Sequence, residues 1–491
     1  MWLEVALTVA LLFLLWQVLK KPSDLPPGRW GLPLVGWVPL SFKKSLEEHL
    51  QDLHKQHGNI YTWRMGSQVI VFLHDYKMLR DAFASTDFVD RPNWQLFTMN
   101  EVPVKGLVGS NGLVWHNNRR FALRQLRDLG MGKSKLVAAV HTQAEMLIEE
   151  FRKQAGRADK VPHATKVAVV NIVWQMIGSI QFKVTDERFK RFQRLIDGVF
   201  ESMRRMAILD LFPWINSVFP DALVTWICRR DVVKITLDSF SAYFEEVIDE
   251  HKATLDKDNP RDLIDAYIIE MEKDNPDSTC SKRDLVLLIF DLFNAGTQTT
   301  DNMLTWMIFY LANHPKVQER MLREIDEVLP RGTLPILEDK PRLPYTEAVV
   351  HESLRKASLV SLGAQHIATR DTQLGGYSIP KGTIITGSFF AMHDDPRYWD
   401  SPEEFRPERW LNAEGKFVAK KEGFMPFGSG KRQCVGEGLA RMELFIFSVA
   451  LVQNFSFAPP PGKKIDLRPV AFNPILHEPK GSEKVVVTVR P

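Results

Sequence analysis

The sequence predicts a mainly α fold with a smaller β-rich part. Apolar residues recur at helical spacing through nearly all of Val114–Val328, whereas two shorter stretches carry strand-like patterning. No internal repeat or low-complexity tract divides the chain. With 491 residues, 45% hydrophobic and 25% charged, the composition is that of an ordinary globular protein. A net charge of +3 gives no case for nucleic-acid binding, because acidic and basic residues nearly cancel. Cys228, Cys280 and Cys434 are too few and too scattered for a disulfide framework or a zinc cluster. They fit a reducing compartment in which one thiol has a chemical task.

The elements follow in order. Trp2–Leu19 is apolar except for Glu4, Thr8 and Gln17. As a helix it would rise about 27 Å, close to a bilayer's hydrocarbon thickness. Lys20 and Lys21 follow the apolar run and Glu4 precedes it, so residues 1–20 read as a retained anchor with the bulk of the protein cytosolic. Pro22, Pro26, Pro27 and Pro33 make residues 21–38 a stiff hinge, leaving 39–491 as one large domain. Ile60–Leu73 alternates and is expected to form a hairpin turning at Gly66 and Ser67. Val137–Phe151, Ala242–Leu255 and Val317–Val328 have amphipathic helical spacing. Asp284–Asn313 reads as a long helix broken in mid-course at Asn294–Thr300, where a glycine and three threonines oppose local propensity. A packing notch between helices is the plainer reading of that stretch. Strand pattern returns over Gly375–Thr386, with turns at Gly375-Gly376 and Pro380-Lys381-Gly382.

The most specific stretch is Phe424-Met425-Pro426-Phe427-Gly428-Ser429-Gly430-Lys431-Arg432-Gln433-Cys434-Val435-Gly436. It resembles the cysteine-ligand loop of the cytochrome P-450 family. The resemblance implies haem b with Cys434 as its axial thiolate, a ligand whose electron push favours O–O cleavage. Arg432 is suited to a haem propionate, Phe427 to covering the sulfur, and Gly430 and Gly436 to a tight turn close to the porphyrin. His351-Glu352-Ser353-Leu354-Arg355 alone is a routine i, i+3 pair on one helix face. Together with Phe405–Trp410, which resembles the family's meander, it implies a buried structural network of Glu352, Arg355 and Arg409.

Ala295-Gly296-Thr297-Gln298-Thr299-Thr300 resembles the family's oxygen-binding groove. There Ala295 and Gly296 would open room over the iron, and Thr299, with Thr300, would serve proton delivery. The chain departs from the family at Gln298, where an acid is usual; an amide orients water but does not titrate. The relay would then rest on Thr299, Thr300 and water, with Asp291 as a further contributor. Trp115 and Arg119 resemble propionate-binding positions, as does His366, for which a solvent-facing role is the rival reading. Arg119, Arg120, Arg124, Arg127, Lys133, Lys135 and Lys431 would form a basic face for an acidic electron donor.

The resemblance runs from Pro26 onward and is closest to the microsomal branch, with an arthropod-like run at Arg119–Gly130. It implies an endoplasmic-reticulum monooxygenase supplied from NADPH by NADPH–cytochrome reductase, with cytochrome b5 as a second donor. Its pocket would draw on Trp94, Phe97, Met99, Met203, Met206, Phe212, Trp214, Leu359, Val360, Leu362 and Phe472. That list suits a lipophilic substrate such as a sesquiterpenoid, a steroid hormone or a xenobiotic. A haem-thiolate isomerase or dehydratase working without external electrons is the alternative.

Overall fold

In the computed structural model, which describes residues 21–38, 44–95, 103–470 and 476–490, the helical periodicities become helices that outrun their patterns. Ser134–Gln154 and Pro315–Val328 contain two of the amphipathic stretches, and Arg230–Ala253 begins well before the third but stops at Ala253, short of Leu255. Five helices frame the interior. They are α1 (Gly112–Asp128), α2 (Ala164–Ile177), α3 (Lys282–Asn313), α4 (Pro344–Ala357) and α5 (Glu437–Asn454). The central helix α3 packs against α2, α4 and α5. Its sequence is apolar on almost every face because almost every face is covered.

Helix α3 is not broken at 294–300. It runs without interruption from Lys282, capped by the Ser281 hydroxyl, to Asn313. The hydroxyls of Thr297 and Thr299 donate to the carbonyls of Phe293 and Ala295 at 2.8 and 2.7 Å. This back-bonding lets threonine sit inside a helix that its propensity disfavours. Between α2 and α3 the core is aromatic: the fully buried Trp174 lies 4.3 Å from the Phe293 ring and 5.5 Å from Phe192. Such ring pairs add about 0.5–1.5 kcal/mol each beyond the area they bury.

The expected hairpin forms as Ile60–Met65 and Gln68–Leu73, with Ile60 opposite Leu73 and the turn at Gly66-Ser67. Ile384–Gly387 joins its second strand in parallel, and His366–Ile367 closes the other edge. A smaller hairpin, Thr372–Leu374 with Tyr377–Ile379, turns at Gly375-Gly376 as the glycine pair predicts.

The segment expected as a hinge is stitched to this sheet. Gly28–Arg29 pairs in parallel with Thr62–Trp63, the Arg29 guanidinium stacks 4.0 Å over Trp37, and Trp63 Nε1 donates to the Trp37 carbonyl at 3.0 Å. Proline-spaced backbone is already extended, so it meets a strand edge at little conformational cost. The apolar run at 1–20 lies outside the described residues. Among those described, no helix is long and apolar enough to cross a membrane.

Candidate active site

The cysteine loop is built from its own backbone. The Gly428 N–H donates to the Met425 carbonyl at 3.1 Å and the Cys434 N–H to the Phe427 carbonyl at 3.0 Å. Gly430 has φ +73°, and a Cβ there would stand 2.0 Å from the Phe83 carbonyl oxygen. Its need for glycine therefore comes from a neighbouring backbone, and Gly430 is not on the cavity wall. Gly436 has an ordinary φ of −93°, and a Cβ there would lie 4.0 Å from the Cys434 sulfur. Gly436 caps α5, so the first amides of that helix face the thiol. Burial pushes the Cys434 thiol up; the amides of Gly436 and Glu437 and the Arg119 charge pull it back only in part.

Cys434 is exposed, but to an interior cavity of about 360 Å³ rather than to a bare outer face. Phe427 and Gly436 share its side of the cavity, and Ala295, Gly296, Thr299 and Thr300 of α3 also line it. Gly296 serves packing as well: a Cβ there would come within 3.2 Å of Val173 on α2. Gln298 is absent from the wall. Its amide donates to Asn302 Oδ1 at 3.1 Å, one turn along α3. A helix that presents residues 295, 296, 299 and 300 to one side must turn 298 away.

One end of the cavity is cationic. Trp115, Arg119, Arg432 and His366 meet there, joined by Arg91, which sequence reasoning missed. Arg432 lies 4.0 Å over the Trp115 ring and donates to the carbonyls of Val89 and Ser110 and to Asn111 Oδ1 at 2.7–2.9 Å. Arg119 donates to the Gln433 carbonyl at 2.8 Å. Burial, and then the charge of Arg91, push Arg432 down to about 8; burial and Arg119 push Arg91 down to about 9. His366 is buried, not solvent-facing. It stacks 4.0 Å from Phe83, its Nδ1 lies 2.6 Å from the Phe88 carbonyl, and burial with the Arg91 charge holds it neutral. An isolated Arg91 before Pro92 carries no local motif, which is why the sequence did not reveal it.

The acidic groups nearby have other tasks. Asp291 Oδ2 accepts the amides of Leu107 and Val108 at 2.6 and 2.8 Å, and Asp284 accepts those of Gly106, Asn118 and the Tyr267 hydroxyl. Both clamp the 106–108 loop against α3. Burial, aided by Asp284, pushes Asp291 up to about 7. Glu443 on α5 is buried, without a hydrogen-bond partner for either oxygen among the described residues, and burial raises it well above the carboxylate range despite a pull from Thr300. His251, Asp262 and Asp265 lie within metal-ligand reach of one another, but His251 pairs with Asp262 at 3.0 Å and Arg261 grips Asp265.

Glu352 is the centre of the charged network. Its Oε1 accepts from Arg355 Nη2 at 2.7 Å, from the Arg406 amide at 2.9 Å and from Arg409 Nε at 3.0 Å. Its Oε2 accepts from Arg355 Nε and Trp410 Nε1, both at 2.9 Å. These bonds hold Glu352 below its usual pKa although burial, the largest influence, opposes them.

Several expected pocket residues go elsewhere. Leu359 and Val360 line the cavity, but Met206 joins the main core and Trp94 and Leu362 pack beside the sheet. Trp214 donates through Nε1 to the Leu34 carbonyl at 3.0 Å. Phe97, Met99, Phe472 and the Met203 side chain lie outside what is described. The seven basic residues of the proposed docking face are exposed except Arg119, which is half-buried.

Comparison with known proteins addresses this architecture directly. The family model described as Cytochrome P450 matches residues 26–483. Cytochrome P450 2L1 of Panulirus argus is 44% identical over 453 residues, covering 90% of this chain and 91% of that protein. Cytochrome P450 18a1 of Drosophila melanogaster is 34% identical, over 91% of this chain and 84% of its own. Cytochrome P450 2J2 of Homo sapiens is 34% identical, over 93% and 91%. With similarity of this depth to arthropod and vertebrate relatives along nearly its whole length, this chain belongs to the cytochrome P450 family of haem-thiolate monooxygenases.

Proposed function

We propose that the chain is an endoplasmic-reticulum monooxygenase that hydroxylates or epoxidises a lipophilic small molecule, a sesquiterpenoid, steroid hormone or xenobiotic. Its electrons would come from NADPH through the flavoprotein reductase, with cytochrome b5 as a second donor. One observation carries the reading: the Cys434 thiol opens into an apolar cavity that has Ala295, Gly296, Thr299 and Thr300 on its wall and a cluster of buried and half-buried guanidiniums at one end. The residues fit haem. Burial depresses Arg91, Arg119 and Arg432, the charge of Arg119 adds to it at Arg91, and those of Arg91 and Arg119 add to it at Arg432; an anionic propionate edge would relieve that cost beside Trp115 and His366. A cation at the sulfur would hold as thiolate a group that burial otherwise keeps protonated. When bound, haem ligated by thiolate supplies dioxygen activation.

The protein's own contribution is positioning and proton handling. Thr299 donates its proton to the Ala295 carbonyl, leaving its oxygen lone pairs free to accept from water in the cavity. Thr300 stands beside it, and Gln298, turned away from the wall, is an amide where the family usually has a titrating acid. The Glu352 network holds the core and takes no part in chemistry.

Residues 1–20 would be the anchor, 21–38 a short packed link, and 39–491 the catalytic domain. A membrane-facing orientation is supported by exposed apolar side chains near the link and near 218–227. Leu32, Val218, Trp226 and Ile227 are 60%, 64%, 73% and 57% exposed. The test is reconstitution of the full chain with reductase in phospholipid vesicles under isotopically labelled O2. One labelled oxygen atom in the product, dependent on NADPH, is the expected result. Product formed equally without NADPH would overturn the reading in favour of an isomerase or dehydratase.

A further inference from the structure

His393 makes three buried connections that no motif announces. Its main-chain carbonyl accepts from Arg355 Nη1 at 2.6 Å. Its ring Nδ1 lies 2.8 Å from Ser358 Oγ, and that hydroxyl donates to the Arg355 carbonyl at 2.8 Å. Its ring Nε2 accepts the Met425 N–H at 3.0 Å. An amide N–H can only donate, so Nε2 carries no proton. Burial and the Arg355 charge push His393 down to about 3, so the ring is neutral and its single proton must be on Nδ1. The bonds therefore run one way, from Met425 to the ring, from the ring to Ser358, and from Ser358 to Arg355.

The two ends of this chain matter. Arg355 is held by Glu352, so one end is fixed to α4. Ser358 ends α4 at φ +41°, a conformation unusual for serine, and both of its hydroxyl bonds act there. At the other end, Met425 opens the turn to Gly428 that sets the Phe427 carbonyl, the acceptor of the Cys434 N–H. We propose that His393 is a positioning residue for the Cys434 sulfur, in which its Nε2 lone pair fixes the start of the cysteine loop to the Glu352–Arg355 pair. The proposal rests on Cys434 as the iron ligand.

The two ring nitrogens can be separated. The Gln terminus replaces Nε2 and can still accept from Met425; Asn replaces Nδ1 and can still donate to Ser358 but leaves the Met425 N–H without its acceptor. The haem-loaded full chain is compared with His393→Gln, His393→Asn, His393→Phe and Cys434→Ser. The readouts are the absorption band of the ferrous carbon-monoxide complex, which distinguishes thiolate from thiol ligation, the reduction potential, and the rate of haem loss to a scavenger. Expected are near-normal thiolate ligation in His393→Gln, and a partly lost thiolate band, a raised potential and about tenfold faster haem loss in His393→Asn and His393→Phe, the factor one hydrogen bond commands.

A folding defect common to both polar variants cannot produce a difference between them. His393→Asn indistinguishable from the parent, or His393→Gln as impaired as His393→Phe, overturns the positioning role while Cys434 stands. A thiolate band that persists in Cys434→Ser overturns the ligand assignment itself.

Discussion

Glu352→Gln changes one atom and should cost several kcal/mol. Glu352 and Arg355 have side chains that are 0% exposed, and Arg409 is 6% exposed. The carboxylate accepts five hydrogen bonds, three on Oε1 and two on Oε2. An amide has one oxygen. If it faces the Oε1 side, its NH2 group opposes Arg355 Nε–H and Trp410 Nε1–H; if it faces the other way, three donors lose their acceptor. The better orientation forfeits two bonds that were charge-assisted, each about 1.5–3 kcal/mol, and leaves two guanidiniums without a countercharge. The expected loss is on the order of 3–6 kcal/mol.

Its pH dependence has a definite sign. The folded pKa of Glu352 is lowered, so its contribution is fully present above the unfolded carboxylate pKa and is lost as pH falls through the folded value. The penalty of the variant should therefore shrink in acid. Urea unfolding of holoprotein at matched haem loading measures the cost, and haem content after expression gives a second readout. A loss below about 1 kcal/mol at neutral pH, with full haem loading, would refute the argument that this carboxylate holds the network.

Two further substitutions test the neighbourhood of the cavity. Gln298→Glu should raise turnover and lower peroxide leakage by a few-fold, because a titrating group replaces an amide; it should not destabilise, since the Asn302 amide has no hydrogen-bond partner among the described residues and could donate to the carboxylate. Unchanged rate and leakage would sink that idea. Asp291→Asn should gain stability relative to the parent as pH rises. The folded carboxyl is raised from 3.8 to about 7, so the parent loses stability across that interval. The difference between pH 5 and pH 8 should be on the order of 2 kcal/mol, read by denaturant midpoints, and a pH-independent difference would contradict a raised folded pKa.

The local features of this protein are legible in its sequence because each is set within a few residues. The hairpin over 60–73 follows from alternation and a Gly-Ser turn, and the helices over 134–154, 230–253 and 315–328 from apolar spacing. The loop ending at Cys434 was recognisable because its glycines, arginine and cysteine fall at fixed intervals, and the family comparison agrees with that recognition. Three readings needed the fold to correct them. Helix α3 stays whole because neighbours cover almost every face of it while its Thr297 and Thr299 hydroxyls are satisfied by its own carbonyls, Gly430 answers to the Phe83 carbonyl, and Gly28–Arg29 pairs with the sheet.

Cys434 as the candidate thiol, the mainly α architecture and the Glu352–Arg355 pairing could be read from the chain alone, since they depend on motif and period. What surrounds Cys434 could not. Arg91, Asp291 and His393 are far from it in sequence, Glu443 is about two and a half helical turns on, and none belongs to a pattern; they matter because folding removes each of them from water. Desolvation strengthens each charge and leaves each unpaired polar group costly, and it is a property of neighbours in space. The case for that thiol is therefore written in one dimension, and its environment only in three.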